Sequence, residues 1–465
     1  MSISTRLVLT EEHHSQLHRH LFPGDGLEAA AILLCASSSK HRFVVNQILL
    51  VPYADCSTRL PNRLGWPGLA VESAIDLAMD HSLSVILIHS HPGGLFAFSE
   101  VDDDSDREIM PGLFHAIDSE RQRHGSAIMT PDGAILARLY DRDFGVLEVS
   151  HVMCAADDIS IWRNNGHADR VQYPMAFSAE MGKDLRNLTA CVVGVSGTGS
   201  IVCEQLARLG IGRLILIDFD HVEFKNLNRI LNSTVEDAKS KTTKVNTLSS
   251  AIKSYRNDIE ILEVEASISN RESIVAAGDA DLLFCCVDSF EGRQVCDRIA
   301  SAFVQPLFDV AVTIPTRLKN CGSLAIGDVC GRLDYIHPGG STLADRNVYS
   351  PESLRGEYLQ QVASDEYEGQ MAEGYISGVN DEAPSVISLN MRAASDCVME
   401  LIARLYPFRQ ESNRLRARTL FSLAAGEEDH FNEEDFSKGA NPSLAIGLIE
   451  PLLGMPRFAK TEDCV

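Results

Sequence analysis

The stretch from Ala190 to Asp220, ACVVGVSGTGSIVCEQLARLGIGRLILIDFD, limits the fold more than any other part of the chain. A short apolar run, Ala190 to Val193, meets Gly194, Gly197 and Gly199, then an amphipathic stretch and a second apolar run that ends at Asp218. A buried strand, a tight turn and a helix satisfy that order, and strands alternating with helices build a parallel sheet. Such a turn aims backbone N–H groups and a helix amino terminus at a phosphate, while an acid closing the next strand, Asp218 or Asp220, reaches ribose hydroxyls. Dehydrogenases use the same design, and some Gly-rich turns serve packing alone. The loop by itself therefore leaves a dinucleotide, ATP and plain packing open.

The residues downstream discriminate further. Asn226 and Arg229 follow in HVEFKNLNRI, Lys244 sits on the amphipathic stretch TTKVNTLSSAI, and Asp288 closes the apolar run DLLFCCVD. A dinucleotide pyrophosphate needs little beyond the loop and the helix dipole. Nucleotidyl transfer at an ATP α-phosphate also needs cations for the departing pyrophosphate and a carboxylate for magnesium. Arg229, Lys244 and Asp288 meet that need together, although singly Lys244 reads as a solvated helix face and Asp288 as a strand-end cap.

A second constellation lies near the amino terminus. The apolar run Val85 to Ile88 ends in His89-Ser90-His91, and a strand projects residues i and i+2 on one face. Asp102 follows within Ser99-Glu100-Val101-Asp102, which also fits a capping box that needs no metal. Both roles are compatible, with Ser99 capping a helix whose first turn carries Asp102. Two histidines and a carboxylate leave the fourth position of a catalytic zinc open for water. Hydrolysis also needs a base, for which Glu28, just before the apolar stretch AAAILLCA, is the candidate.

Composition excludes several classes. The formal net charge of −24, from 65 acidic and 41 basic residues, argues against a nucleic-acid binder, which relies on clustered cations. No apolar run approaches the ~18 residues needed to cross a bilayer and no export segment is evident, so a cytoplasmic protein without membrane partners is expected. The 12 cysteines contain no CxxC pair, which favours reduced thiols over a disulfide framework or a cysteine-only zinc site.

With these residues in view, His89-x-His91-Pro92, Ser99-x-x-Asp102 and the upstream Glu28 resemble the JAMM (JAB/MPN) metalloprotease signature. That resemblance implies zinc on His89, His91 and Asp102, Glu28 as general acid/base, Ser99 stabilising the tetrahedral intermediate, and cleavage after the carboxyl terminus of a ubiquitin-like protein. The stretch Gly194-Val195-Ser196-Gly197-Thr198-Gly199-Ser200, with Asp218, Asp220, Asn226, Arg229, Lys244 and Asp288 in order, resembles the ThiF/MoeB and ubiquitin-activating adenylyltransferases. This second resemblance implies ATP with magnesium on Asp288, and adenylation of the terminal glycine of a ubiquitin-like or sulfur-carrier protein. It also implies a homodimer in which Arg170 serves the other subunit's site, and leaves room for a conjugating enzyme as a partner.

The expected fold is mixed α/β and α+β. A JAMM-type α/β/α domain spans residues 1–145 and a linker 146–168; a Rossmann-like ThiF-type domain spans 169–408 and a charged extension 409–465. Where many ThiF relatives have a C-L-x-C-like element, this chain reads Ser341-Thr342-Leu343-Ala344-Asp345-Arg346, so no second zinc is expected. Cys330 and Cys321 are the best-placed cysteines for a thioester, yet buried thiols more often serve as small hydrophobes. The combined expectation is a bifunctional bacterial-type enzyme of ubiquitin-like modification. An activating enzyme for a sulfur carrier or peptide metabolite and a scaffold with reduced catalysis are the alternatives, and an NAD-dependent oxidoreductase is more distant.

Overall fold

The computed structural model describes residues 5–117, 122–164, 178–318, 324–362 and 385–460. It divides into two units. The first contains Met1–Val171, Ser301–Val304 and Asn441–Val465, and the second Gln172–Ala300 and Gln305–Ala440. Among the described residues no helix is long and apolar enough to cross a membrane.

The first unit is built on strands β1 (Thr5–Thr10), β2 (Ala30–Ser39), β3 (Arg42–Leu50), the short hairpin β4 (Thr58–Leu60) and β5 (Arg63–Gly65), then β6 (Ser84–Ser90), β7 (His124–Met129), β8 (Ile135–Tyr140), β9 (Val146–Ala155) and β10 (Ser160–Arg163). The main sheet runs β1-β3-β2-β6-β7-β8-β9-β10, and β1 also pairs with β9, so seven of its strands close on themselves. Helices α1 (Glu11–Leu21), α2 (Gly68–His81) and α3 (Glu100–Ala116) accompany it. The core is formed by Leu7, Leu33, Phe43, Ile86, Ile88 and Val152, each at most 1% exposed. The hairpin expected at Pro131-Asp132-Gly133 joins β7 to β8, and Gly133 takes the positive φ of 86° that the turn requires.

Residues 146–168, expected to be a linker, contain β9 and β10. Polar Glu148, Ser150 and His151 interrupt the apolar pattern of β9, but pairing to β1, β8 and β10 satisfies its backbone. Strand pairing is non-local, so the polar composition concealed it.

The second unit carries α4 (Ala179–Asn187), β11 (Thr189–Val193), α5 (Gly197–Leu209), β12 (Arg213–Ile217), α6 (Val235–Ser240), α7 (Lys244–Lys253), β13 (Glu260–Val264), α8 (Arg271–Ala277), β14 (Leu282–Cys285), α9 (Phe290–Ala302) and β15 (Leu307–Thr313). Then come β16 (Thr316–Leu318), β17 (Leu324–Ile326) and β18 (Cys330–Ile336), and finally β19 (Arg418–Ser422) and β20 (Glu427–Phe431). Its main sheet runs β13-β12-β11-β14-β15-β18-β19-β20. The first five strands are parallel and the last three antiparallel. The chain passes from β11 to β12 on one side and later to β14 on the other, which makes the carboxyl end of β11 a topological switch point.

The expected extension, 409–465, is divided. Strands β19 and β20 continue the second sheet, while Asn441–Val465 groups with the first unit, where Leu448 N–H donates to Ser37 O at 2.9 Å. The acidic outer strand β20 exposes Glu427, Glu428 and Asp429, charges that discourage pairing at a sheet edge. The Ser341–Arg346 segment is held by side chains. Asp297 accepts Leu343 N–H at 3.1 Å, and Arg346 joins Asp334 at 3.1 Å and Glu433 at 2.7 Å.

Candidate functional site

In the first unit, antiparallel pairing sets Ala30 opposite His89, which brings Glu28 to the end of β6. Ser90, facing away from the histidines, accepts Ala29 N–H on Oγ at 2.9 Å and donates its own N–H to Ala29 O at 2.9 Å. The backbone of Glu28 is held on both sides, its N–H donating to Leu60 O at 3.0 Å and its carbonyl accepting Arg59 Nε at 2.8 Å.

Four side chains converge there. The Nε2 atoms of His89 and His91 lie 3.1 Å apart, Asp102 Oδ1 is 3.1 Å from His89 Nε2, and Asp102 Oδ2 is 3.5 Å from His91 Nε2. Ligands held tetrahedrally at zinc–nitrogen distances sit about 3.3 Å from one another, so this donor set fits zinc. His91 Nδ1 lies 2.8 Å from Leu95 O, a contact that holds the proton on Nδ1 and leaves Nε2 as the donor to a metal. Ligand atoms of Glu28, His89 and His91 all fall within 4.8 Å of one another. Burial pushes the Glu28 carboxyl above its ordinary range, against the pull of the nearby histidines.

The capping box at Ser99 forms, and it coexists with the cluster. Asp102 Oδ2 accepts Ser99 N–H at 2.6 Å and Ser99 Oγ–H at 2.8 Å, while Asp102 N–H donates back to Ser99 Oγ at 3.3 Å. Oδ1 remains directed at His89.

In the second unit the Gly loop leaves β11 at the switch point. Gly194 has φ of 82°, and its N–H donates to Ile217 O at 2.9 Å. Gly199 lies so close beneath that a Cβ would fall 1.8 Å from Gly194 O, and Cys286 flanks both glycines. Gly197 opens α5, and the first N–H groups of a helix have no intrahelical acceptor, which suits them to an anion.

The two acids of Asp218-Phe219-Asp220 part company. Asp218 is buried, and its carboxylate accepts Val195 N–H at 2.9 Å and Asp220 N–H at 2.9 Å, so it fixes the loop. Burial pushes its pKa up while Lys244 pulls it down. Asp220 is the more open acid, and Lys244 Nζ lies 2.7 Å from its Oδ2 and 4.0 Å from Asp218 Oδ1. Lys244, only 5% exposed at the start of α7, is therefore an internal cation.

Asn226 is buried and closes the turn that precedes it, its Oδ1 accepting Glu223 N–H at 3.1 Å. Arg229 runs beside the loop, its Cδ 3.4 Å from where a Cβ on Gly197 would lie. Asp288 is exposed two residues after Cys286. Cys330 stands in β18 opposite Thr313 and Ser422, and partial burial together with Asp328 pushes its thiol up to about 11. Little thiolate forms there at neutral pH. Arg170 and Cys321 lie outside the described residues.

Sequence reasoning missed Asn390, whose Nδ2 would sit 2.3 Å from a Cβ on Gly197, and Arg59, whose Nε donates to the Glu28 carbonyl. Nothing local to Asn390 marks it, because its role arises from packing between distant segments.

Residues 10–134 match the family model described as prokaryotic homologs of the JAB domain, and residues 170–354 match the ThiF family. The chain thus joins a JAB-type domain to a ThiF-family domain. Among curated relatives, ubiquitin-like modifier-activating enzyme 5 of Caenorhabditis elegans is 33% identical over 164 residues, covering 33% of this chain and 36% of that protein. The Bombyx mori protein of the same name is 29% identical over 170 residues, covering 34% and 39%. The chain spans less than two-fifths of the length of these relatives. A solved structure of E. coli MccB with ATP is 16% identical with a TM-score of 0.41, covering 54% of this chain and 66% of that one. That structural likeness is too loose to transfer chemistry.

Proposed function

We propose that the ThiF-type domain adenylates the carboxyl-terminal glycine of a ubiquitin-like or sulfur-carrier protein, and that the JAB-type domain is a zinc peptidase that trims or removes the same modifier. The observation that carries this reading is the meeting of an internal Lys244–Asp220 pair with a Gly loop at a switch point, in a chain whose other unit gathers Glu28, His89, His91 and Asp102.

In adenylation the substrate carboxylate attacks the α-phosphorus of ATP, the bond to the β-phosphate oxygen breaks, and pyrophosphate departs. Loop N–H groups bind the phosphates, Arg229 and Lys244 offset the charge that develops, and Asp288 would hold magnesium, which would draw charge from the departing pyrophosphate. Asp218 keeps the loop in shape. Cys330, with its raised pKa, is unsuited to an attacking thiolate, so a thioester on Cys330 is not part of this reading.

In the peptidase site His89, His91 and Asp102 would hold zinc, which when bound would acidify water and polarise a carbonyl. Glu28, fixed through both backbone groups and raised in pKa, takes a proton from the attacking water and gives it to the amine nitrogen as the C–N bond breaks. Ser99 supplies a hydroxyl beside the reacting carbonyl. A homodimer using Arg170 and transfer to a conjugating enzyme belong to the same proposal.

The decisive test is pyrophosphate exchange with ATP and magnesium, with and without candidate ubiquitin-like proteins, using Asp288→Ala as the control. Exchange that depends on one candidate's terminal glycine supports the reading. Absence of exchange in the presence of bound ATP, with every candidate, refutes the adenylation half and leaves the peptidase as the principal activity.

A further inference from the structure

Helix α3 carries Asp102 in its first turn, yet its buried apolar residues, Met110, Leu113 and Phe114, begin only two turns further on. A helix end without apolar anchorage frays. The ligand-bearing end is held from β8 instead. Arg138 Nη1 donates to Asp103 Oδ1 at 2.5 Å, Nε donates to Asp106 Oδ2 at 2.9 Å, and Nη2 lies 2.7 Å from the same oxygen. Its guanidinium also lies 3.9 Å from the ring centroid of Phe98, the residue before Ser99. One half-buried cation therefore grips both flanks of the Ser99–Asp102 capping box.

Asp106 is 5% exposed and also accepts Tyr140 Oη–H at 2.8 Å, so the Arg138–Asp106 pair forms a fixed platform and Asp103 is the branch that reaches the ligand turn. Resting on the zinc reading of His89, His91 and Asp102, we propose that Arg138 is a positioning residue that holds Asp102 at the metal through Asp103 and Phe98. It touches neither metal nor substrate. Partners one step removed from a ligand typically change metal affinity by about 10- to 100-fold when lost.

The test is the zinc affinity of the full chain, measured by competition with a chromophoric chelator and requiring no peptide substrate. Arg138→Met is expected to weaken zinc binding about 10- to 100-fold, and hydrogen exchange in the first turn of α3 should accelerate. Because that variant leaves Asp106 buried without its cation, Asp103→Ala serves as the gentler version. Asp103 is partly exposed, and its loss should weaken zinc binding about threefold without unfolding the protein. The double variant should bind zinc no worse than Arg138→Met alone, since both act along one path. Arg107→Ala, which breaks an exposed pair with Asp104 on the same helix, should leave zinc affinity unchanged.

Equal zinc affinity in the wild type, Arg138→Met and Asp103→Ala, with binding abolished by His89→Ala, overturns this inference alone. A wild-type chain that holds no zinc, or holds it equally well as His89→Ala, overturns the metal centre and this inference together.

Discussion

Replacing Gly199 by alanine sets two effects of opposite sign against each other. Within a helix the substitution ordinarily stabilises by about 1 kcal/mol, because alanine loses less backbone entropy. Here the added Cβ falls 1.8 Å from Gly194 O and 2.9 Å from Gly194 C. A carbon and a carbonyl oxygen approach no closer than about 3.3 Å, so the two segments must part by about 1.5 Å. Both are backbone, and no side chain can rotate away. Overpacking of this kind costs about 1–3 kcal/mol, enough to cancel the helix gain and leave a net loss of up to about 2 kcal/mol. The displaced element is the loop that aims N–H groups at phosphate, so ATP affinity should fall at least about tenfold. Calorimetric titration with magnesium ATP and denaturant unfolding of the same preparation measure the two effects. Gly112→Ala is the control, since it lies in α3 with nothing within 4 Å of its Cβ, and it should stabilise the protein. A Gly199→Ala protein that is as stable as the wild type and binds ATP unchanged would refute both the packing argument and the role of the loop.

Glu28→Gln should retain zinc and ATP chemistry while peptidase activity on a modifier fused through its terminal glycine falls about 10²- to 10⁴-fold; loss of zinc in that variant would give Glu28 a different role. Arg229→Ala should do the reverse, abolishing pyrophosphate exchange and sparing proteolysis. Cys330 should react slowly with maleimide at pH 7.5, and Cys330→Ala should retain pyrophosphate exchange; abolition of exchange would restore that thiol to the chemistry. His124 is fully buried, accepts Val85 N–H on Nδ1 at 3.1 Å, and burial followed by Arg123 lowers its pKa to about 4. Between about pH 4 and 6.5 the unfolded chain binds the extra proton, so stability should fall as pH drops through that window, by about 2 kcal/mol at pH 5. Denaturant unfolding at pH 7 and pH 5 measures this, and an equal pH dependence in His124→Gln would exclude His124 as the cause.

The amino-acid sequence by itself determined those features whose physics is local. The apolar run Val85–Ile88, the S-x-x-D cap, the Pro-Asp-Gly turn and the strand–glycine–helix run each depend on neighbours within a few residues, and each takes the expected form, although the strand ends at Ser90, one residue short of His91. The candidate ligands and the candidate phosphate loop stand out in the sequence for the same reason, whereas Glu28 reaches the histidines only through the pairing of β2 with β6. Tertiary structure decided what depends on distant partners. Polar β9 becomes a strand because β1 and β8 satisfy its backbone, and the charged stretch after Phe408 yields β19 and β20 because β18 offers β19 an edge and β19 in turn offers one to β20. Asp218 rather than Asp220 is committed to the loop because Val195 N–H reaches it, and Lys244 lies inside because Asp220 pairs with it. Arg138 had no signature at all. A side chain that acts through hydrogen bonds to a helix more than 30 residues away in sequence leaves its mark only when the sheet has formed and brought them together.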